Sequence, residues 1–285
     1  MARHDPHNRT RFWSDRRIPG ASLMCADFTT QEYAPHWHEA LVIAATESGG
    51  AQFNSRGTSD YAHPALLLVF NPAEPHSGRM GWSDHWRYRS FYLTKQALDL
   101  VAHGLGIASV PHFTSNALAD PALVASFLAL HRAMEDGNDA LAEREQLYGS
   151  FAALFARYGS GGEAIASPPV DRSVITAIVE FMHAHHDQDL SLDDMGRRFA
   201  LTPFQLIRAF KKAVGLTPHA YLTQLRLNQA CRLLRRATPI AEAAAAVGFY
   251  DQSALTRHFK RSYGITPLQY ARAAAGAERV ELRAS

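Results

Sequence analysis

The chain has 285 residues, 47% hydrophobic and 20% charged, a length that predicts two domains. No apolar run approaches the ~18 residues of a membrane span, and the Arg- and His-rich N-terminus lacks the apolar core of a signal peptide. Two cysteines, Cys25 and Cys231, stand in different halves and give no disulfide framework, so a cytoplasmic protein with no membrane partner is expected. The net charge of +2 conceals an asymmetry: residues 1–169 hold 13 Lys/Arg against 17 Asp/Glu, residues 170–285 hold 16 against 10. A basic C-terminal half is the electrostatic footprint of a domain that meets a polyanion.

In chain order, residues 1–20 are polar, with Arg3, Arg9, Arg11, Arg16 and Arg17 flanking Phe12-Trp13. They read as a partly disordered tail. From Ala21 to Leu93, short runs such as Leu41-Val42-Ile43-Ala44 and Leu66-Leu67-Leu68-Val69-Phe70 are bounded by Gly49-Gly50, Arg56-Gly57 and Asn71-Pro72. Regularly spaced short strands predict a β-sandwich or barrel of jelly-roll type. His36-x-His38 places two rings on one face of a strand, and His76 arrives from a later one. Metal ligation is one use of such a trio. However, Glu39 is adjacent to the pair and points to the opposite face, and Glu47 is too far along, so no fourth ligand is in reach. The other use is to border a small-molecule pocket. Trp82, Trp86, Tyr88, Phe91 and Tyr92 follow, interleaved with His85, Arg87 and Arg89. Strict alternation puts Trp86 and Tyr88 on one face, Arg87 and Arg89 on the other. Either face serves as the inner one at this level: aromatic filling, or an Arg able to meet a carboxylate or phosphate.

Between Thr94 and Tyr158 the pattern turns helical. Leu123, Phe127 and Leu130-His131 mark one amphipathic helix, Leu141, Leu147, Phe151, Leu154 and Phe155 a second, separated by Asp136-Gly137-Asn138. The pair either packs on the chain's own barrel or forms a dimer interface. Gly159-Ser160-Gly161-Gly162 and Ser167-Pro168-Pro169 read as a linker, flexible then stiffer. The expected division is a domain over 1–158, a linker over 159–169 and a second domain over 170–285, with a frayed tail from Ala273.

The second domain contains a duplicated stretch. Leu206, Arg208, Phe210, Lys211, Gly215, Thr217, Pro218 and Tyr221 recur as Leu255, Arg257, Phe259, Lys260, Gly264, Thr266, Pro267 and Tyr270, at an offset of 49. Two copies are too few for a solenoid, so this is a duplicated module. In the first copy, Ser191 and Asp194 form a capping box for a helix over Leu192 to Phe199. Thr202-Pro203 with Gln205 caps the next helix, and Gly215 ends it. In the second, Ile240 to Val247 is a helix, Gly248-Phe249-Tyr250 the turn, and Asp251 the cap of a helix carrying Arg257, Lys260 and Arg261. Two helices joined by a tight turn, with bases on the second, are the helix-turn-helix signature. A connecting helix from Pro218 to Arg235 would span roughly 27 Å, which approaches the ~34 Å between major-groove entries on one face of B-DNA.

At these residues, together with the Gly248-Phe249-x-Asp251-x-Ser253 run, the region 170–275 resembles the DNA-binding domain of the AraC/XylS family of transcription regulators. Pro35-His36-Trp37-His38-Glu39, Gly49-Gly50 and Asn71-Pro72-x-Glu74-Pro75-His76 are similar to that family's cupin-like effector domain. The resemblance implies an α+β protein of two domains: an N-terminal cupin-like β-barrel with a helical pair, and an all-α double helix-turn-helix. It also implies a small-molecule effector, an N-terminal arm able to fold over its pocket, dimerisation through the helix pair into a homodimer, and double-stranded promoter DNA as partner, with RNA polymerase as a further one. His36, Trp37, His38, His76, Trp86 and Tyr88 are the expected effector residues, with no metal and no cofactor. Residues opposite the core positions of the second helices are expected to read bases: Phe204, Gln205, Ile207 and Arg208, then Gln252, Ser253, Thr256 and Arg257. Arg208 and Arg257 suit guanine and Gln252 adenine. Lys211, Lys212, Lys260 and Arg261 are expected at phosphates. Two alternatives are a metal-dependent cupin enzyme built on His36, His38 and His76, and a regulator whose N-terminal domain only dimerises.

Overall fold

Along Ala21–Phe28 the buried residues are Ala21 and Leu23 on one face and Ala26 and Phe28 on the other, so this strand, paired on both edges, is covered on both faces. The computed structural model describes residues 8–80, 83–160, 165 and 169–274. The expectations for the start of the N-terminal tail, for Trp82, for most of the linker and for the C-terminal tail beyond 274 lie outside the described residues. Two compact units are present, Met1–Gly137 with Gln146–Ala166, and Asn138–Glu145 with Ser167–Ser285.

In the first unit the strands run β1 (Arg9–Ser14), β2 (Ala21–Phe28), β3 (Glu32–His36), β4 (Ala40–Gly49), β5 (Ala51–Ser55), β6 (Thr58–Ala62), β7 (Leu67–Phe70), β8 (His76–Arg79) and β9 (Trp86–Thr94). Helix α1 (Lys95–Leu105), short strands β10 (His112–Phe113) and β11 (Ala117–Leu118), helices α2 (Pro121–Asp136) and α3 (Ala140–Tyr158), and β12 (Gly159–Ser160) follow. A six-stranded sheet has the order β1-β2-β9-β4-β7-β11, and a four-stranded sheet the order β3-β8-β5-β6. A buried cluster that includes Phe28, Val42, Phe53, Phe70, Trp86 and Tyr88 draws on strands of both sheets. This is the cupin-like β-domain expected.

Two features differ from the sequence reading. Residues 9–14 are no tail but an edge strand, antiparallel to β2 in register from Arg9↔Asp27 to Ser14↔Ser22. Most of its side chains face solvent, so the strand lacks the apolar alternation that marks its neighbours. Helix α1 is a third helix where two are predicted. It buries Ala97, Leu98, Val101 and Leu105 and ends at Gly106 in the left-handed region, φ 72°. Helix α2 is capped by Asp120, which accepts from Leu123 N. Leu123, Phe127, Leu130 and His131 are buried against the outer face of the large sheet, with Phe91 5.9 Å from Phe127 and 5.1 Å from His131 between ring centroids. These apolar positions of α2 pack on the chain's own barrel.

The second unit carries α4 (Arg172–Ala184), α5 (Leu192–Phe199), α6 (Pro203–Val214), α7 (Pro218–Arg235), α8 (Ile240–Ala246), α9 (Gln252–Tyr263) and α10 (Pro267–Ala274). The Thr202–Gln205 capping box is complete. The Ser191 box is half formed: Ser191 accepts from Asp194 N, while the Asp194 carboxylate pairs with Arg197. Leu227, Ala230, Leu234, Ala243, Val247, Leu255 and Phe259 form the core of the second module. Arg226 of α7 donates to the carbonyls of His186 and Gln188, both at 2.7 Å, which fixes the loop ahead of α5 to the connecting helix.

Candidate effector cavity and DNA interface

A half-open cavity of about 150 Å³ lies between the two sheets. Met24, Val42, Ala44, Leu68, Phe70, Trp86, Tyr88, Ser90 and Tyr92 line it from the large sheet, Tyr33, His36, Phe53, His76, Ser77 and Gly78 from the small one, and His38 from the loop after β3. The period-two pleat selects these residues: along β9 the buried positions Trp86, Tyr88 and Ser90 alternate with Arg87 and Arg89. The aromatic face is thus the inner one. Arg87 pairs with Asp27 at 2.6 Å on the other side of the sheet, and Arg89 with Glu47 at 2.9 Å and with Glu135. Among the described residues, no Lys, Arg, Asp or Glu lines the cavity.

The three histidines converge. Their ring centroids are 4.5 Å (His36–His76), 4.9 Å (His36–His38) and 5.3 Å (His38–His76) apart, and one ligand-capable nitrogen of each lies within 4.8 Å of the others. Backbone carbonyls orient two of them. His36 Nδ1 is 2.8 Å from Ala34 O and His76 Nδ1 is 2.9 Å from Glu74 O. A carbonyl only accepts, so both Nδ1 atoms carry the proton. Phe70 stacks on His76 at 4.2 Å. Burial, followed by the neighbouring His36 and His76, pulls His38 down to about 4, and burial likewise lowers His76. Tyr33 and Tyr88 share a hydroxyl hydrogen bond of 2.8 Å, and burial pushes Tyr33 up to about 12. Burial also raises Tyr92, with Ser90 acting the other way. The Ser90 Oγ itself finds no partner of good hydrogen-bond geometry among the described residues.

Five of the six expected effector residues border this cavity. Trp37 does not: it lies between His36 and His38, and the alternation that turns those rings inward leaves Trp37 54% exposed. Glu39 is exposed, and Glu47 is bound by Arg89 and Arg132, so neither joins the histidines. A second grouping, Cys25, His131 and Glu135, already holds a cation: the Arg89 guanidinium contacts all three. Sequence reasoning missed Tyr33, Ser90, Tyr92, Met24, Phe53 and Phe70. Continuing the Trp86–Tyr88 alternation would have found Ser90 and Tyr92; the others come from strands that only the tertiary pairing brings near.

In the helical unit, α9 buries Ala254, Leu255 and Phe259 and exposes Gln252, Ser253, Arg257, Lys260 and Arg261, with Thr256 half-buried. Asp251 caps it by accepting from Ala254 N at 2.6 Å. Helix α6 exposes Arg208, Lys211 and Lys212, while Phe204, Gln205 and Ile207 are half-buried. Gln205 already has a task, since its Oε1 accepts from Thr202 N at 3.0 Å. The Arg208 guanidinium lies 5.6 Å over the Phe204 ring. None of these six cations is held in an ion pair among the described residues. Tyr250, 75% exposed just ahead of the α9 cap, is a candidate contact that sequence reasoning missed. Two glycines set the turns: a Cβ on Gly196 would meet Leu201 O at 2.7 Å, and Gly248 has φ +86° with Asp187 O at 2.8 Å from its Cβ position.

Two family models match the chain: "AraC-like ligand binding domain" over residues 19–151 and "Helix-turn-helix domain" over residues 195–273. The uncharacterized HTH-type transcriptional regulator YbfI of Bacillus subtilis is 28% identical over 224 residues, 78% of this chain and 81% of that protein. The HTH-type transcriptional regulator MtrA of Neisseria gonorrhoeae is 36% identical over 86 residues, 30% of this chain and 28% of its own length. The crystal structure of a transcriptional regulator with an AraC-type DNA-binding domain, from Chromobacterium violaceum, matches 36% of this chain and 94% of that one at 30% identity and TM-score 0.35. No helix among the described residues is long and apolar enough to cross a membrane.

Proposed function

The chain belongs to the AraC/XylS family of transcription regulators, with a ligand-binding domain ahead of a DNA-binding helix-turn-helix domain, and from that premise we propose how its parts divide the work. Residues 1–158 sense the effector and dimerise, 159–169 link, and 170–285 engage promoter DNA. The small molecule occupies the cavity between the two sheets, bordered by His36, His38, His76, Trp86 and Tyr88. The protein acts in the cytoplasm by binding rather than by catalysis, as a homodimer that presents promoter DNA to RNA polymerase.

The observation that carries the DNA assignment is the free polar face of α9. Gln252, Ser253 and Arg257 stand exposed on a capped helix whose other face is core. Arg257 has the bidentate reach for guanine O6 and N7 and Gln252 for adenine, with Ser253 and Thr256 beside them. Lys260 and Arg261, nearer the helix end, meet phosphates, as do Lys211 and Lys212 on α6. Arg208 reads a base from α6, where the half-buried Phe204 and Ile207 offer apolar contact and Gln205 is shared with its cap, so α6 is the poorer reader.

The test is a salt titration of the full-length protein on a duplex selected from random sequence and on its scrambled counterpart. Arg257→Ala is expected to cost about 1–3 kcal/mol on the selected duplex with little change on the scrambled one. Lys260→Ala is expected to weaken both equally and to shallow the salt slope by about one unit. Equal losses on both duplexes for Arg257→Ala would make it a backbone contact and remove α9 as the principal reader.

A further inference from the structure

Cavity size, wall chemistry and the orientation of the histidines together narrow what the sensor binds. This inference rests on the reading of the cavity as the effector site and goes on to name the ligand's class. An apolar void of ~150 Å³ holds one benzene-sized ring, and the cavity here is of that size. Its walls are flat and apolar, with Trp86 and Tyr88 stacked at 4.1 Å and Phe53 and Phe70 edge to face at 5.8 Å. The three imidazoles converge on it from one strand end, a loop and a second strand.

Those imidazoles ask for a donor. His36 and His76 each spend their Nδ1 proton on a backbone carbonyl, which leaves Nε2 with a lone pair and no hydrogen. The Tyr33 and Tyr88 hydroxyls are engaged with each other, and no Lys or Arg of the described residues lines the cavity. A carboxylate or phosphate entering here would turn its lone pairs on those of the two Nε2 atoms and would meet no Lys or Arg among the described residues, and buried charge without a partner is strongly disfavoured. A hydroxyl on the ligand faces none of these costs.

We propose that the effector is an uncharged one-ring phenol or catechol, its ring between Trp86, Tyr88, Phe53 and Phe70 and a hydroxyl donating to the free ring nitrogen of His36 or His76, a catechol supplying one hydroxyl to each. Discrimination comes from the unpaired acceptors: a ligand of the same shape without a donor leaves them dry and unsatisfied.

Calorimetry on the full-length protein at neutral pH tests this with phenol, catechol, anisole, benzoate and zinc chloride as probes. Phenol and catechol are expected to bind one per chain and to quench the Trp86 emission. Anisole, the same ring without a donor, is expected to bind about ten-fold more weakly or worse, and benzoate not at all. His36→Leu and His76→Leu should each bring the phenol-to-anisole ratio toward one, whereas Trp37→Phe should leave it intact. The ratio measured on the unsubstituted protein stands even where a histidine variant fails to fold. Benzoate or anisole binding as tightly as phenol overturns the proposal, and so does stoichiometric zinc uptake, lost in His36→Leu, with no affinity for phenol. Ala44→Phe, which fills the cavity, separates the two levels of the argument. If phenols fail while a metabolite extract stabilises the native chain but not Ala44→Phe, the ligand class falls and the cavity remains the effector site. If filling the cavity alters neither small-molecule binding nor effector-dependent transcription, both fall.

Discussion

At the scale of single residues, Glu74 and two histidines show how the sensor unit handles buried polarity. Glu74 accepts from Arg56 Nε and Nη2 at 2.7 Å each, Asn71 N at 3.0 Å, Asn116 Nδ2 at 2.6 Å and Ser55 Oγ at 3.0 Å. Burial alone would raise its carboxyl, but the bonds from Arg56, Asn71 and Asn116 prevail and hold it at about 2. Its contribution is therefore present above the ordinary 4.5 and lost as the pH falls from there toward 2. His38 and His131, both drawn down to about 4 chiefly by burial, act over a higher window. The unfolded chain takes up protons from about 6.5 while the fold refuses them, so stability drops between 6.5 and 4. All four tryptophans stand in the N-terminal half, so their emission follows this unit alone. Its melting temperature is expected to fall in two stages between neutral pH and pH ~2.5. Glu74→Gln is expected to cost about 2–4 kcal/mol at neutral pH, since it sets an amide hydrogen against donors, and to remove only the lower stage. A single step that Glu74→Gln leaves unchanged would show the hub to be ornamental.

At the scale of elements, the turns of the helical unit are set by close approach more than by propensity. Alanine is the better helix former by about 1 kcal/mol, yet Gly196→Ala would press a Cβ to 2.7 Å from Leu201 O, the backbone of the α5–α6 turn. The expected outcome is net destabilisation of about 1–3 kcal/mol by helical circular dichroism, with weaker binding to any duplex, because α6 would shift as a body. Asp251→Ala removes the acceptor for Ala254 N. It is expected to cost about 1 kcal/mol and to weaken the selected duplex more than the scrambled one, since α9 frays where Gln252 and Ser253 stand. A gain in stability for Gly196→Ala would mean that propensity outweighs the contact.

At the scale of the whole molecule, the charge asymmetry and the separate core of the second module argue that residues 170–285 fold without the sensor. The fragment is expected to melt cooperatively and to bind duplex DNA as a monomer, with affinity falling steeply as salt rises, because six unpaired cations stand on α6 and α9. Affinity that stays flat between low and physiological salt would contradict that account.

The sequence alone determined the helices of the two helix-turn-helix modules and the helix between them almost to the residue, while α4 and α10 went unread. Helices over Leu192–Phe199 and Pro218–Arg235 have the bounds that their N-caps, Ser191 and Thr217, and their apolar periodicity predict. The reason is that capping and 3.6-residue periodicity are local, written within a dozen residues. It also determined that Trp86 and Tyr88 share one face, since the pleat is local too. Only the tertiary structure decided which face of β9 is inner, because that depends on the second sheet and on α2, whose Phe127 meets Phe91 on the outer side. The same holds for β1, an edge strand made by its partner β2 rather than by its own pattern. The cavity was legible in His36, His38 and His76 and illegible in Tyr33, Phe53 and Phe70. Its walls come from strands far apart in the chain, and which of their side chains face one another is fixed by pairing register between sheets, not by any run of neighbouring residues.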